Sequence, residues 1–212
     1  QMCIRDRPYR VLLYDQARIS SKMPARMAEI LHDEPGVLVQ KTASGRDTLS
    51  LRGFIDGYRV LTLIDGIRLN NSVFRAGPNQ YMGTIDVLTI SRLEVVKGPS
   101  SVLYGSDAIG GTVQVFTRSR EDFTKESRID HRVFFRFGSA DRSIVSRYEI
   151  AGNIGEKLGF LGGVSYKDYD DLTGGRRVGL QEKTGFDELD GDFKFQYRVS
   201  EDSNFVFAFQ QV

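Results

Sequence analysis

From residue 129 onward the chain alternates apolar and polar residues with period two, in five successive segments. Val133, Phe135 and Phe137 face one way, Arg132 and Arg136 the other. Ile144, Tyr148 and Ile150 oppose Arg147, Glu149 and Asn153. Leu158, Phe160, Val164 and Tyr166 oppose Ser165 and Lys167. Phe193, Phe195, Tyr197 and Val199 oppose Asp192, Lys194, Gln196 and Arg198. Phe205, Phe207 and Phe209 oppose Val206, Ala208 and Gln210. Successive side chains of a strand point to opposite faces, so each segment is predicted to be a strand with one apolar face. Period two leaves open what that face meets. A soluble β-sandwich turns it inward. A transmembrane barrel turns it toward lipid.

The connections bear on the choice. Ile154–Lys157 and Ser200–Ser203 read as tight turns, and Gly138–Arg142 is also short. Asp168–Phe186 is long, polar and rich in glycine. Outer-membrane barrels have short periplasmic turns and longer outer loops. If the first strand rises from the periplasm, 154–157 and 200–203 fall inside and the long loop falls outside.

The first half has a different texture. Pro24–Leu31 is predicted to be a short helix, with Pro24 at its first position and Met27, Ile30 and Leu31 on one face. Pro35-Gly36 stops it. Val37–Val39, Thr48–Leu51 and Tyr58–Ile64 read as strands, the last ended by the turn pair Asp65-Gly66. Asn70–Gly83 reads as loop. Arg118–Arg128 is charged and apolar-poor, and reads as a linker.

Composition narrows the function classes. No apolar run approaches the 18 or so residues of a membrane-crossing helix. A net charge of +1 supplies no field for nucleic acid. Cys3 is the single cysteine, so no internal disulfide is available. It lies in QMCIRDR, residues 1–7, which resembles a translated adapter scar and is left out of the fold reasoning. No leader pattern of a basic start and an apolar core is visible. His32 and His131 lack metal-ligand spacing, so no metal site is predicted. No GxxxxGK[ST] or GxGxxG run occurs, no cofactor is indicated, and no catalytic residue stands out. Asp170, Asp171 and Glu188 are the one carboxylate set that an enzyme acting on carbohydrate could use.

Residues 92–117, RLEVVKGPSSVLYGSDAIGGTVQVFT, carry the most specific signal. Two β-type runs, Arg92–Lys97 and Thr112–Thr117, flank turn residues Gly98, Pro99, Gly105, Gly110 and Gly111. This resembles the plug-domain signature of TonB-dependent outer-membrane receptors. Pro24–Gly36, Leu51-Arg52-Gly53-Phe54, Leu63–Ile67, Ile90–Pro99, Ser101–Gly105 and Ala108–Gly111 match the family's pieces in order.

The resemblance implies an α+β plug domain, a mixed β-sheet with short helices, over residues 8–118. A linker over 119–128 follows, then antiparallel strands of a truncated transmembrane β-barrel over 129–212. The family barrel has about 22 strands, so five imply a fragment cut at both ends. The implied function is uptake of a scarce nutrient such as an iron-siderophore, haem or cobalamin across the bacterial outer membrane. The implied partners are that small metal-chelate ligand, outer-membrane lipid, and the TonB-ExbB-ExbD complex acting through a TonB box that this chain does not show. By motif position, Arg52 and Lys97 would lock the plug to barrel carboxylates, Lys97 standing where the family usually has Arg. Tyr58, Arg59, Arg75, Asn79, Gln80 and Tyr81 would meet the ligand. The rival reading is a soluble secreted or periplasmic binding module with a β-sandwich half.

Overall fold

The computed structural model describes residues 10–43, 46–55, 59–69, 81–119, 126–139, 142–175, 177–200 and 203–212. The chain divides into two units, Gln1–Thr117 and Arg118–Val212.

The first unit starts with β1 (Arg10–Tyr14) and α1 (Gln16–Lys22). Asp15 caps α1, its carboxylate accepting the Arg18 N–H at 2.8 Å. Met23 ends it in the left-handed region, and Pro24 follows. Pro24 therefore marks the end of a helix, not the start of the predicted one. A 3₁₀ turn, Met27–Leu31, occupies the rest of that stretch and buries Met27, Ile30 and Leu31.

β2 (Val37–Ala43), β3 (Arg46–Leu51) and β4 (Phe54–Ile55) form a three-stranded antiparallel sheet. β5 (Val60–Ile64) and β6 (Ile67–Arg68) follow, then β7 (Ile90–Lys97), the short helix α2 (Ser101–Tyr104) and β8 (Gly111–Thr117). These complete a mixed sheet of order β1-β7-β8-β5-β6, with β5 and β8 parallel and the other pairs antiparallel. Two hairpins close on two-residue turns with positive φ at both central positions, Arg52-Gly53 and Asp65-Gly66. That geometry follows the right-handed strand twist, and it explains why glycine stands second in each. Leu93, Val95, Val113, Val115 and Val60 turn one sheet face into the main core with Tyr14, Ile30 and Leu51. Leu61 and Leu63 on the other face receive Ala108.

In the second unit, β9 (Arg128–Phe137), β10 (Ile144–Ile154), β11 (Leu158–Tyr169), β14 (Phe186–Arg198) and β15 (Asn204–Gln211) form one antiparallel meander. Between β11 and β14 a small ribbon, β12 (Leu172–Thr173) with β13 (Leu180–Gln181), orders part of the long loop. The meander strands run 8 to 13 residues. About 9–11 tilted residues cross a bilayer's hydrocarbon.

The polarity of this sheet is inverted relative to a water-soluble one. Val133 is 75% exposed and Leu189 67%, while Arg147 and Lys167 are 3% and 2% exposed. The register puts Val133, Tyr148, Val164 and Gly191 in one cross-strand row on the apolar face. Arg147, Ser165 and Asp190 lie in a row on the other. A sandwich would bury the first row and expose the second, so the β-sandwich expectation is set aside.

Gly111 is a point of close approach in the first unit. Its φ is +153°, and a Cβ there would collide with the Val96 carbonyl oxygen and lie 2.8 Å from Leu51 Cδ1. Gly111→Ala is expected to cost about 2–3 kcal/mol, combining backbone strain and overpacking. Thermal unfolding followed by circular dichroism checks this; a melting temperature within a degree of the parent would contradict it.

Candidate functional site

The glycine-rich segment between β7 and β8 folds back on itself. The Ser100 N–H donates to Ala108 O at 2.8 Å, and Gly98 N–H to Gly110 O at 3.2 Å. The Ser100 and Thr112 hydroxyls meet at 2.7 Å in a buried pair. Gly110 lets another segment come close: its N–H donates to Arg59 O at 2.6 Å, and a Cβ there would lie 2.5 Å from Phe54 Cβ. Gly105 follows α2 with φ +97°. Ser100 is the cap residue of α2, so Pro99 stands just ahead of the cap and not in the first helical position. Val102 at the tip is 98% exposed.

Lys97 ends β7 beside this segment. Its side chain is 4% exposed, and its ammonium has two partners among the described residues. It donates to Pro35 O at 2.7 Å and pairs with Glu34 Oε2 at 3.6 Å. Both of these partners lie inside the first unit. Glu34 is a hub. Its Oε1 accepts the Tyr14 hydroxyl and the Arg18 guanidinium, the latter at 3.0 Å. The Arg18 guanidinium also stacks 3.9 Å from the Tyr14 ring centroid. The Tyr14 hydrogen bond, with Lys97 and Arg18, holds the Glu34 carboxyl below its ordinary range. Burial and the Glu34 carboxylate push the Tyr14 phenol up.

Arg52 occupies the first position of its turn with φ +54°, and its N–H donates to Gly36 O at 2.8 Å. Its side chain is exposed. Of the predicted ligand residues, Tyr58, Arg75, Asn79 and Gln80 lie outside the described residues. Tyr81 begins a 3₁₀ turn, Tyr81–Thr84. Arg59 is exposed at the start of β5, where its carbonyl receives Gly110.

The polar face of the second unit carries a network that residue types alone did not reveal. Arg147 reaches Glu149 Oε2 at 2.9 Å, Asp192 Oδ1 at 2.7 Å and Ser165 Oγ at 3.0 Å. Arg118 joins Glu149 at 3.1 Å. Lys167 donates to Glu188 at 2.6 Å and Asp190 at 2.5 Å. Gly163 is what lets Arg147 lie across β11, since a Cβ there would sit 2.5 Å from its guanidinium carbon. The Gly162-Gly163 pair inside a strand was the signal for such a close approach.

The carboxylates raised for an enzyme have other work. Glu188 is held by Lys167. Asp171 accepts the Thr184 and Gly185 N–H groups at 2.7 and 2.8 Å, which closes the base of the ribbon and keeps its pKa low. Asp170 faces Arg142 at 3.6 Å. His131 meets the Tyr148 hydroxyl at 2.7 Å on the apolar face. Among the described residues no group of three or more His, Cys, Asp or Glu is placed to hold a metal ion.

The TonB-dependent Receptor Plug Domain family matches residues 4–112. The iron-regulated outer membrane virulence protein of Vibrio cholerae is 36% identical over 120 residues, covering 54% of this chain and 18% of that protein. The vitamin B12 transporter BtuB of Vibrio vulnificus is 38% identical over 97 residues, covering 45% of this chain and 15% of that protein. The chain thus spans only a small part of these relatives. Among solved structures, the copper transporter OprC aligns with a TM-score of 0.70 at 20% identity, over 92% of this chain and 29% of that one. The siderophore receptor PirA from Acinetobacter baumannii aligns at 0.69 and 17% identity, over 94% and 31%. At these identities the likeness speaks for the fold.

Two outcomes follow from the charge clusters. Lys167→Met leaves Glu188 and Asp190 without their shared cation and is expected to cost about 3–5 kcal/mol in denaturant unfolding; Lys167→Met with Asp190→Leu should cost less than the single change. Glu34 has a lowered folded pKa, so its stabilisation is present above its unfolded pKa and lost as pH falls through the folded value. The acid-unfolding curve of the first unit should therefore be shallower in Glu34→Gln; superimposable curves would contradict this.

Proposed function

We infer the function of this chain from its kinship: it belongs to the TonB-dependent receptor plug domain family, and antiparallel strands follow the plug. Its place is the bacterial outer membrane. It is part of a receptor that takes up a scarce nutrient, with the plug gating the barrel. The observation that carries this reading is the inverted polarity of the second unit. A sheet with an exposed apolar face and a buried, charge-paired opposite face suits lipid outside and a polar lumen within.

The two relatives support an iron chelate or cobalamin as the ligand class; haem and iron-siderophores are the iron forms proposed. Arg59, with Tyr58, Arg75, Asn79, Gln80 and Tyr81, is the proposed ligand-contact set. An aromatic beside amides and cations suits a polar metal chelate. Arg52 and Lys97 are the proposed plug-to-barrel lock residues; Arg52 is exposed at a turn. Transport draws on the TonB-ExbB-ExbD complex through a TonB box ahead of the plug.

The whole receptor, expressed in a strain lacking its own receptors, should take up one of labelled ferric siderophore, haem or cobalamin only when TonB is present. Receptor seated in the outer membrane with no uptake of any of them would overturn the reading. Val164 faces outward at 54% exposure. Val164→Arg should weaken folding into lipid vesicles by about 2–4 kcal/mol if the residue lies near the bilayer midplane. Unchanged folding would remove the lipid-facing assignment of that row.

A further inference from the structure

The N-terminal strap, β1 with α1, pairs with β7 along Arg10–Tyr14, and its side chains are also tied to one short stretch. Lys22 donates to Ile30 O at 2.8 Å and pairs with Asp33 at 3.2 Å. Arg18 and Tyr14 both reach Glu34 Oε1. Lys97 approaches the same stretch, at Pro35 O and Glu34 Oε2. One carboxylate thus holds the strap with one oxygen and faces Lys97 with the other. Lys97 is bonded in sequence to Gly98, the first residue of the glycine-rich segment.

We propose that Glu34 couples docking of the strap to anchoring of the Gly98–Gly111 segment. With the strap docked, two donors fix Glu34 and orient its second oxygen toward Lys97. With the strap released, Glu34 turns to water and the buried ammonium of Lys97 keeps only a neutral carbonyl. A buried cation without its carboxylate is strongly unfavourable, so the end of β7 loosens. The same coupling runs in reverse: loss of the Lys97 charge leaves Glu34 less neutralised and weakens its hold on the strap. Reciprocity of this kind is a thermodynamic requirement for two events that share one group. The contacts all lie within the first unit, so the proposal does not rest on the receptor reading.

Hydrogen exchange on the intact chain tests the coupling. Tyr14→Phe keeps the ring and removes one donor; Arg18→Gln acts at an exposed position. Each should speed exchange of the Gly98, Ser100 and Gly105 amides on the order of tenfold, the size of a typical coupling between sites. The Val113 and Val115 amides, in the centre of the sheet, should not change. Lys97→Met should likewise speed exchange along Val11–Tyr14. In a Glu34→Gln background each remote effect should disappear, because the shared carboxylate is gone. Changes confined to the mutated element would overturn the proposal. So would a uniform change across the first unit, or remote effects that persist in Glu34→Gln.

Discussion

The antiparallel pair of β7 and β8 is what the rest of the first unit is built on. β1 attaches to the outer edge of β7, and β5 lies parallel along the far edge of β8. Both main-core and minor-core side chains pack against this pair or its neighbours. Its ends are tied as well. Lys97 at one end reaches Pro35. At the other, Thr117 donates its N–H and hydroxyl to Asp65, the residue that makes the β5–β6 turn. The glycine-rich segment is the connection between the paired strands. Its close approaches at Gly110 and Gly111 are therefore conditions for the pair to form, since a side chain at either would push against Phe54 or Val96.

The second unit solves a different problem. Its apolar side chains cannot be its core, because they stand on the exposed face. Cohesion comes from the backbone ladder and from the paired charges on the other face. Taking Arg147 and Lys167 out of water is costly, and the attraction of nearby carboxylates offsets that cost only if the geometry is good. Glu188 and Asp190 at Lys167, and Glu149, Asp192 and Ser165 at Arg147, meet that condition.

The strands were legible in the sequence because period two is a local property. All five barrel-type segments are strands with the faces as read, and the Asp65-Gly66 hairpin lies where its turn pair put it. The helical reading of Pro24–Leu31 failed because proline serves both ends of a helix. Asp15 was the better signal, a cap residue followed by Ile19 as the one buried position of α1. β1 went unread because Val11-Leu12-Leu13 is a continuous apolar run without alternation. The partner of Lys97 was out of reach for a different reason. Pro35 and Glu34 lie some sixty positions away, and only the assembled sheet brings them to the end of β7. The charges of the second unit were read as one polar face, but which acid meets which base depends on register and on the space left by Gly163.

The pairing of charges on that face has an electrostatic consequence of its own. Arg118, Arg147 and Lys167 stand against Glu149, Glu188, Asp190 and Asp192, each within salt-bridge distance of an opposite sign. Three cations so closely opposed by four carboxylates leave one net negative charge, a weak field beyond the pairs themselves. The cluster therefore projects only a weak negative potential from this face of the sheet.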